Sequence, residues 1–208
     1  MTPFELVDAI GAPLPLDNVD TDAIIPSRES QSVVRDGYGE KLFANWRYQP
    51  GTRIEQPEFV LNRAPFHRAG VLLAGRNFGC GSSREAAVWS LVQFGIRCVI
   101  AESYGAIFLR NCVPNGLLAI TLDGATIERL LSVVETARFT VDLPGRQLLV
   151  TGESPIEFAI DPLDQEMLVE GLDEIELTKR RHDAIRTFQV ADRVARPWVW
   201  NARSKESA

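Results

Sequence analysis

The 208-residue sequence predicts an α/β domain, on two patterns and one loop. From Val71 to Glu135, short apolar runs alternate with stretches of helical period. Beyond Glu135 the apolar period falls to two. A loop of glycine, serine and arginine joins the first run to the first helical stretch. Strand–loop–helix alternation implies parallel pairing, because like-directed neighbours need a crossover to return the chain.

The elements follow in order. The first seventy residues are rich in Pro and Gly and read as irregular, with turn signals at Gly11-Ala12-Pro13, Asp36-Gly37 and Gln49-Pro50-Gly51. Val71-Leu72-Leu73-Ala74 is an apolar run suited to a buried strand. Past Gly79-Cys80-Gly81, Ser82 or Ser83 is placed to cap a helix that carries Ala87, Val88, Leu91 and Val92 on one face and stops at Gly95. Cys98-Val99-Ile100-Ala101 predicts a second strand, Tyr104 to Asn111 a short helix, Leu117 to Thr121 a third strand, and Ala125 to Glu135 another helix. The period-two region predicts a hairpin: Phe139 to Leu143, a Pro144-Gly145 turn, then Gln147 to Val150, with a further strand from Ser154 to Ile160. Asp161-Pro162 opens a helix closed by Gly171, and a last helix covers Arg181 to Val194. Residues 1–195 are thus expected to form the domain and 196–208 a tail, mobile or docked on a partner, carrying Trp198 and Trp200.

Composition excludes several classes. Hydrophobic residues at 45% and charged residues at 24% fit a globular chain long enough to bury its own core. A net charge of −6 with no long basic run argues against nucleic acid or anionic membrane as partner. No basic-then-apolar leader or long apolar span is visible, and three widely spaced cysteines make neither a C-x-x-C pair nor a disulfide framework, so a bacterial-type cytoplasm is expected.

Two stretches carry chemistry. In Phe78-Gly79-Cys80-Gly81-Ser82-Ser83-Arg84-Glu85, glycines let backbone approach a ligand, a helix start supplies N–H groups, and Arg84 offers a fork for a carboxylate. An anion site is the favoured reading over a plain capped helix. A dinucleotide site fits less well, since Arg84 replaces the third glycine of G-x-G-x-x-G. A serine hydrolase fits least, with no G-x-S-x-G elbow and no local context making His67 or His182 a triad base. The second stretch, Asp17-Asn18-Val19-Asp20-Thr21-Asp22-Ala23-Ile24-Ile25-Pro26, lacks the glycine and distal glutamate of a calcium loop. It reads as a solvated Asx-turn loop or as carboxylates that orient nearby arginines, with Arg28 and Arg35 following closely.

Together these stretches resemble the swivelling domain of the aconitase superfamily, and within it the free-standing small subunits of the isopropylmalate dehydratase family. Gly37-Tyr38-Gly39, Leu42-Phe43, Trp46-Arg47 and Gly171-Leu172-Asp173-x-Ile175-x-Leu177-Thr178 extend the match in the same order, from Asp17 to about Ile185. The resemblance implies a swivelling β/β/α domain, a barrel-like sheet with flanking helices, packed over a large subunit that holds a 4Fe–4S cluster on its own cysteines. No metal or cofactor is then expected on this chain, and Cys80, Cys98 and Cys112 become loop or core thiols. It further implies a hydro-lyase acting on a small dicarboxylate in leucine biosynthesis. Ser82 would be the base as an alkoxide, Arg84 would stabilise it and grip a carboxylate, and Ser83, Asp22 and Arg35 would bind substrate. Alternatives are a paralogous hydro-lyase acting on citraconate, maleate or a substituted malate, and a non-catalytic binding or regulatory module. Two positions depart from the family pattern: Ala86 stands where histidine is common, and Asp36 where threonine follows the arginine. If Ser82 and Ser83 start the helix, its spacing places Ala86 on a neighbouring part of their face.

Overall fold

The computed structural model describes residues 1–30, 35–82 and 84–201. One seven-stranded sheet runs through it in the order β4-β3-β2-β1-β5-β6-β7. The strands are β1 (Leu6–Leu14), β2 (Ala69–Ala74), β3 (Cys98–Ala101), β4 (Leu118–Thr121), β5 (Arg138–Asp142), β6 (Gln147–Val150) and β7 (Ile156–Glu157). β1 to β4 are parallel, and β5 to β7 add antiparallel beyond β1.

The two halves are buried differently, which gives the sheet its curl. In β2, Leu72 and Ala74 enter one core while Val71 and Leu73 enter a second on the opposite face; Val99 and Ala101 of β3 divide from Cys98 and Ile100 in the same way. A strand buried on both faces reads as an unbroken apolar run, which is why β2 and β3 are visible in the sequence. The antiparallel half commits one face only: Phe139, Val141, Leu148 and Val150 enter the second core, whereas Leu149 on the other face is exposed. The sheet therefore wraps around the second core as a half-barrel.

Short helices α1 (Thr21–Ile24) and α2 (Ala44–Arg47), with α3 (Glu85–Phe94) and α4 (Ala106–Cys112), cover the first core; α5 (Gly124–Val133) and α6 (Pro162–Glu170) cover the second. Then come α7 (Glu174–Arg180), α8 (His182–Ala195) and α9 (Pro197–Asn201).

Four expectations are corrected. Gly11-Ala12-Pro13 is not a turn but lies in β1, at the centre of the sheet. Residues 6–10 of β1 pair with β5 and residues 10–14 with β2, so Pro13 sits where the strand is paired on one side only, the edge-like setting in which a sheet tolerates proline. Gly11 lies at the irregularity where the partner changes, and a Cβ there would come within 2.6 Å of the Phe139 ring. Second, the N-cap of α3 is Arg84 in an extended conformation, with no side-chain cap, rather than Ser82. Ser83, the other expected cap, lies outside the described residues. Third, the strand expected over Ser154 to Ile160 shrinks to β7. Fourth, α7 was not anticipated, although Asp173 and Glu176 form a reciprocal capping box at its start. α9 lies against α8: Trp200 Nε1 donates to Asp192 at 3.0 Å and Arg196 pairs with the same carboxylate. Of the expected tail, 202–208 lie outside the described residues.

Candidate active site

The C-terminal ends of three parallel strands release the chain into segments that run side by side. After β1 comes Asp17 to Thr21, after β2 Arg76 to Ser82, and after β3 Ser103 to Gly105. Backbone bonds tie the first two together: Asn18 N to Arg76 O (2.8 Å), Gly79 N to Val19 O (2.7 Å) and Thr21 N to Cys80 O (2.9 Å). Phe78 N donates to Ser103 O and Gly105 N to Phe78 O, which ties the second to the third. Ligands of open α/β sheets bind at this end, where loops rather than ladders present their groups.

Glycines make the close approach possible. Gly79 has φ +73°, and a Cβ there would lie 2.2 Å from Cγ of Phe108. Gly105 lies so near that a Cβ would come within 2.5 Å of the Gly79 carbonyl oxygen. The loop is thus seated on backbone and on one aromatic ring.

Within this frame Ser82 is exposed, but its backbone is held: the buried Thr21 donates from Oγ1 to the Ser82 carbonyl at 2.7 Å. Arg84 sits over the start of α1. Its Nη1 meets Asp22 Oδ1 and the Ile25 carbonyl (3.1 Å), and its Nη2 meets Asp22 Oδ2 (2.9 Å) and Ser27 Oγ (3.0 Å). Ser27 in turn donates to Asp22 Oδ1 at 2.9 Å. A guanidinium has five N–H groups, so four are spent here and Nε–H alone is without a partner among the described residues. The hydrogen bond from Arg84, then that from Ser27, holds the Asp22 carboxyl below its ordinary value.

The acidic stretch therefore does orient an arginine, but a distant one. Asp22 holds Arg84, Asp17 holds Arg76 with two bonds of 3.1 and 2.8 Å, and Asp20 caps α1 through the Ala23 N–H. Arg28 instead pairs with Glu29. Arg35 is exposed and lies along α3: its guanidinium sits 4.5 Å from the Trp89 ring centroid and 3.9 Å from Glu85. The fold thus brings Asp22 and Arg84 into direct contact, ties the Ser82 backbone to the neighbouring Thr21, and sets Arg35 against α3 by its own route. Thr21 and Ser27 were missed by the sequence reading, although both lie in or just beyond the Asn-Val-Asp-Thr-Asp element.

Ala86 does not border the loop as a surface position. It is buried in the first core with Ala87 and Val88, and because α3 starts after Arg84, Ser82 lies outside the helix and helical spacing does not relate the two. Cys98 and Cys112 are fully buried, and burial pushes both thiols far up; Cys80 is half-buried in the loop. No helix among the described residues is long and apolar enough to cross a membrane.

Comparison with known proteins places the chain in a family. The family model for the aconitase C-terminal domain matches residues 1–125. The 3-isopropylmalate dehydratase small subunit of Cupriavidus necator is 48% identical over 204 residues, covering 96% of this chain and 98% of that protein. The protein of the same name from Gluconacetobacter diazotrophicus is 44% identical over 201 residues, covering 95% and 97%. A crystal structure of 3-isopropylmalate dehydratase from Methanocaldococcus jannaschii superposes with a TM-score of 0.64 at 26% identity, over 88% of this chain and 99% of that one. With such identity over nearly the whole of both chains, and a fold in common with the solved structure, the chain belongs to the 3-isopropylmalate dehydratase small-subunit family of the aconitase superfamily.

Proposed function

We propose that this chain is the small subunit of a hydro-lyase that interconverts 2-isopropylmalate and 3-isopropylmalate in leucine biosynthesis, with Ser82 as its proton acceptor. The observation that supports the assignment of roles is the clamp of Arg84 on Asp22, which fixes the loop beside the exposed Ser82. Its partner is the large subunit, and the substrate is a small branched dicarboxylate handled in the cytoplasm.

The reaction removes a proton from the carbon next to a carboxylate and expels hydroxide from the neighbouring carbon, leaving an enoic diacid. Water then adds with the opposite regiochemistry. A 4Fe–4S cluster on the large subunit supplies a Lewis acid for the hydroxyl when bound. The cysteines of this chain do not fit that cluster: Cys98 and Cys112 are buried in separate cores, and Cys80 sits alone in its loop, whereas such clusters are held by a convergent set of cysteines. What this chain contributes is proton transfer and carboxylate binding. An ordinary serine hydroxyl is a weak acid, so its alkoxide needs neighbouring positive charge and N–H donors. Arg84 supplies charge and its one uncommitted Nε–H, while Arg35 keeps an exposed guanidinium for a substrate carboxylate. Ser83 and Asp22 complete the substrate-binding set, Asp22 by orienting Arg84.

The test is reconstitution. The chain combined anaerobically with its large subunit, iron and sulfide is expected to isomerise isopropylmalate, whereas the same complex carrying Ser82→Ala assembles but turns over slower by roughly two orders of magnitude or more. Near-normal turnover by the variant would remove Ser82 as base. A complex that prefers citraconate or maleate would make the paralogous reading the better one.

A further inference from the structure

Arg35 meets α3 at three successive turns of the helix. Glu85 approaches its guanidinium at 3.9 Å, the Trp89 ring lies under it at 4.5 Å, and the Gln93 side-chain amide donates to its backbone carbonyl. These residues are four apart, so they form one stripe on the helix surface. The same Gln93 amide accepts from Tyr38 N at 2.8 Å. A carbonyl and the N–H three residues later are the pair that a simple β-turn joins to each other. Here the Gln93 amide lies between them, with Gly37 at φ +79° inside the turn, and fastens the Arg35–Tyr38 turn to the helix.

Two further observations show that this seat is built. Gly39 lies against the backbone of α3, where a Cβ would come within 2.7 Å of Gln93, and Arg47 holds its carbonyl from the other side at 3.2 Å. Trp89 is itself fixed: its Nε1 donates to Asn115 at 2.9 Å, Asn115 donates to Glu85 at 3.1 Å, and Tyr38 meets the indole edge-on at 5.4 Å.

We infer that Gln93 is a positioning residue for substrate binding: it fixes the turn that carries Arg35, while Trp89 and Glu85 fix the plane and charge of the guanidinium. The inference rests on the proposed role of Arg35 as a carboxylate ligand. Cation–π contact and a long ion pair orient an arginine without consuming its N–H groups, so Arg35 keeps donors for a carboxylate in a way that Arg84 does not. Gln93 is exposed, and its replacement leaves the core untouched.

The experiment is a double-mutant cycle in the assembled enzyme, with Gln93→Leu, Arg35→Ala and the pair. Gln93→Leu is expected to raise KM for isopropylmalate roughly tenfold while kcat stays within about threefold, the pattern of lost substrate binding rather than lost chemistry. In the Arg35→Ala background it is expected to add nothing further, since it acts through Arg35. An unchanged KM for Gln93→Leu, when Arg35→Ala alone raises it, overturns the positioning role and leaves Arg35 in place. Additive effects, or a fall in kcat with KM unchanged, overturn it as well. An unchanged KM for Arg35→Ala removes the carboxylate role of Arg35 itself, and this inference with it.

Discussion

The two terminal nitrogens of Arg84 meet both carboxylate oxygens of Asp22, a residue 62 positions earlier in the chain. The fork closes the loop after β2 onto the helix after β1, and Ser27 bridges its two partners. Geometry of this kind depends on the planar, two-pronged guanidinium. Arg84→Lys keeps the charge but cannot reach both oxygens, Ser27 and the Ile25 carbonyl together. We expect kcat to fall by roughly a hundredfold, the scale of an ångström-sized misplacement of a reacting group. Steady-state kinetics of the assembled enzyme give the answer, and a loss confined to KM would show that Arg84 binds without positioning.

The same fork sets a pH dependence. Because the Asp22 carboxyl is held down by Arg84 first and Ser27 second, its folded-state pKa lies below its unfolded one. The fork's contribution is therefore fully present above the ordinary aspartate value of about 3.9 and is lost only as pH falls through the lower, folded value. Carboxyl-resolved NMR titration should show Asp22 ionising below ordinary aspartate, and Arg84→Lys should move its midpoint up. A midpoint at or above the ordinary value would mean the fork is open in solution.

How much of this was legible follows from which forces act locally. β2 and β3 carry their burial on both faces, so Val71 to Ala74 and Cys98 to Ala101 announce themselves as apolar runs. β1 was hidden because Gly11 and Pro13 are turn residues by local preference. They are tolerated in a central strand by facts far away in sequence: the ring of Phe139 over Gly11, and one-sided pairing at Pro13. The loop of Ser82 and Arg84 stood out by its composition of glycine, serine and arginine. The partner of Arg84 was not, since nearby Arg28 and Arg35 were equally plausible mates for Asp22 and only the parallel alignment of the segments after β1 and β2 selects Arg84. The box that starts α7 was legible in principle, from Asp173 and Glu176, but its apolar stripe is too short to stand out.

Ala86 is the position where helical spacing misled. Its side chain packs in the first core, 9% exposed, so the larger imidazole of a histidine there displaces neighbours. Overpacking of this sort costs about 1–3 kcal/mol. Ala86→His should therefore lower the thermal midpoint of this chain by a few degrees, about 2–4 °C for each kcal/mol in a chain of this size. Differential scanning calorimetry checks it; an unchanged midpoint would mean that the core has room for an imidazole.

The two glycines flanking Cys80 separate strain from collision. Both have positive φ, +73° at Gly79 and +90° at Gly81, so alanine at either incurs the cost of a left-handed conformation, roughly 1–2 kcal/mol. Only at Gly79 does the new methyl also strike something: Cγ of Phe108 at 2.2 Å, in a ring that stacks on Tyr104 and is met edge-on by Phe78 and so has little freedom to withdraw. At Gly81 the nearest atom is Asp20 Cβ at 3.5 Å, ordinary contact distance. Gly81→Ala should then fold with a modest loss of stability. Gly79→Ala should lose clearly more, because it must either move Phe108 in the first core or lift the loop off Val19, whose carbonyl accepts from Gly79 N. Lifting the loop displaces Ser82, so Gly79→Ala should also lose turnover beyond what its stability predicts at a temperature where it remains folded. Equal losses of stability in the two variants would show that backbone conformation alone, and not the seat on Phe108, holds this loop.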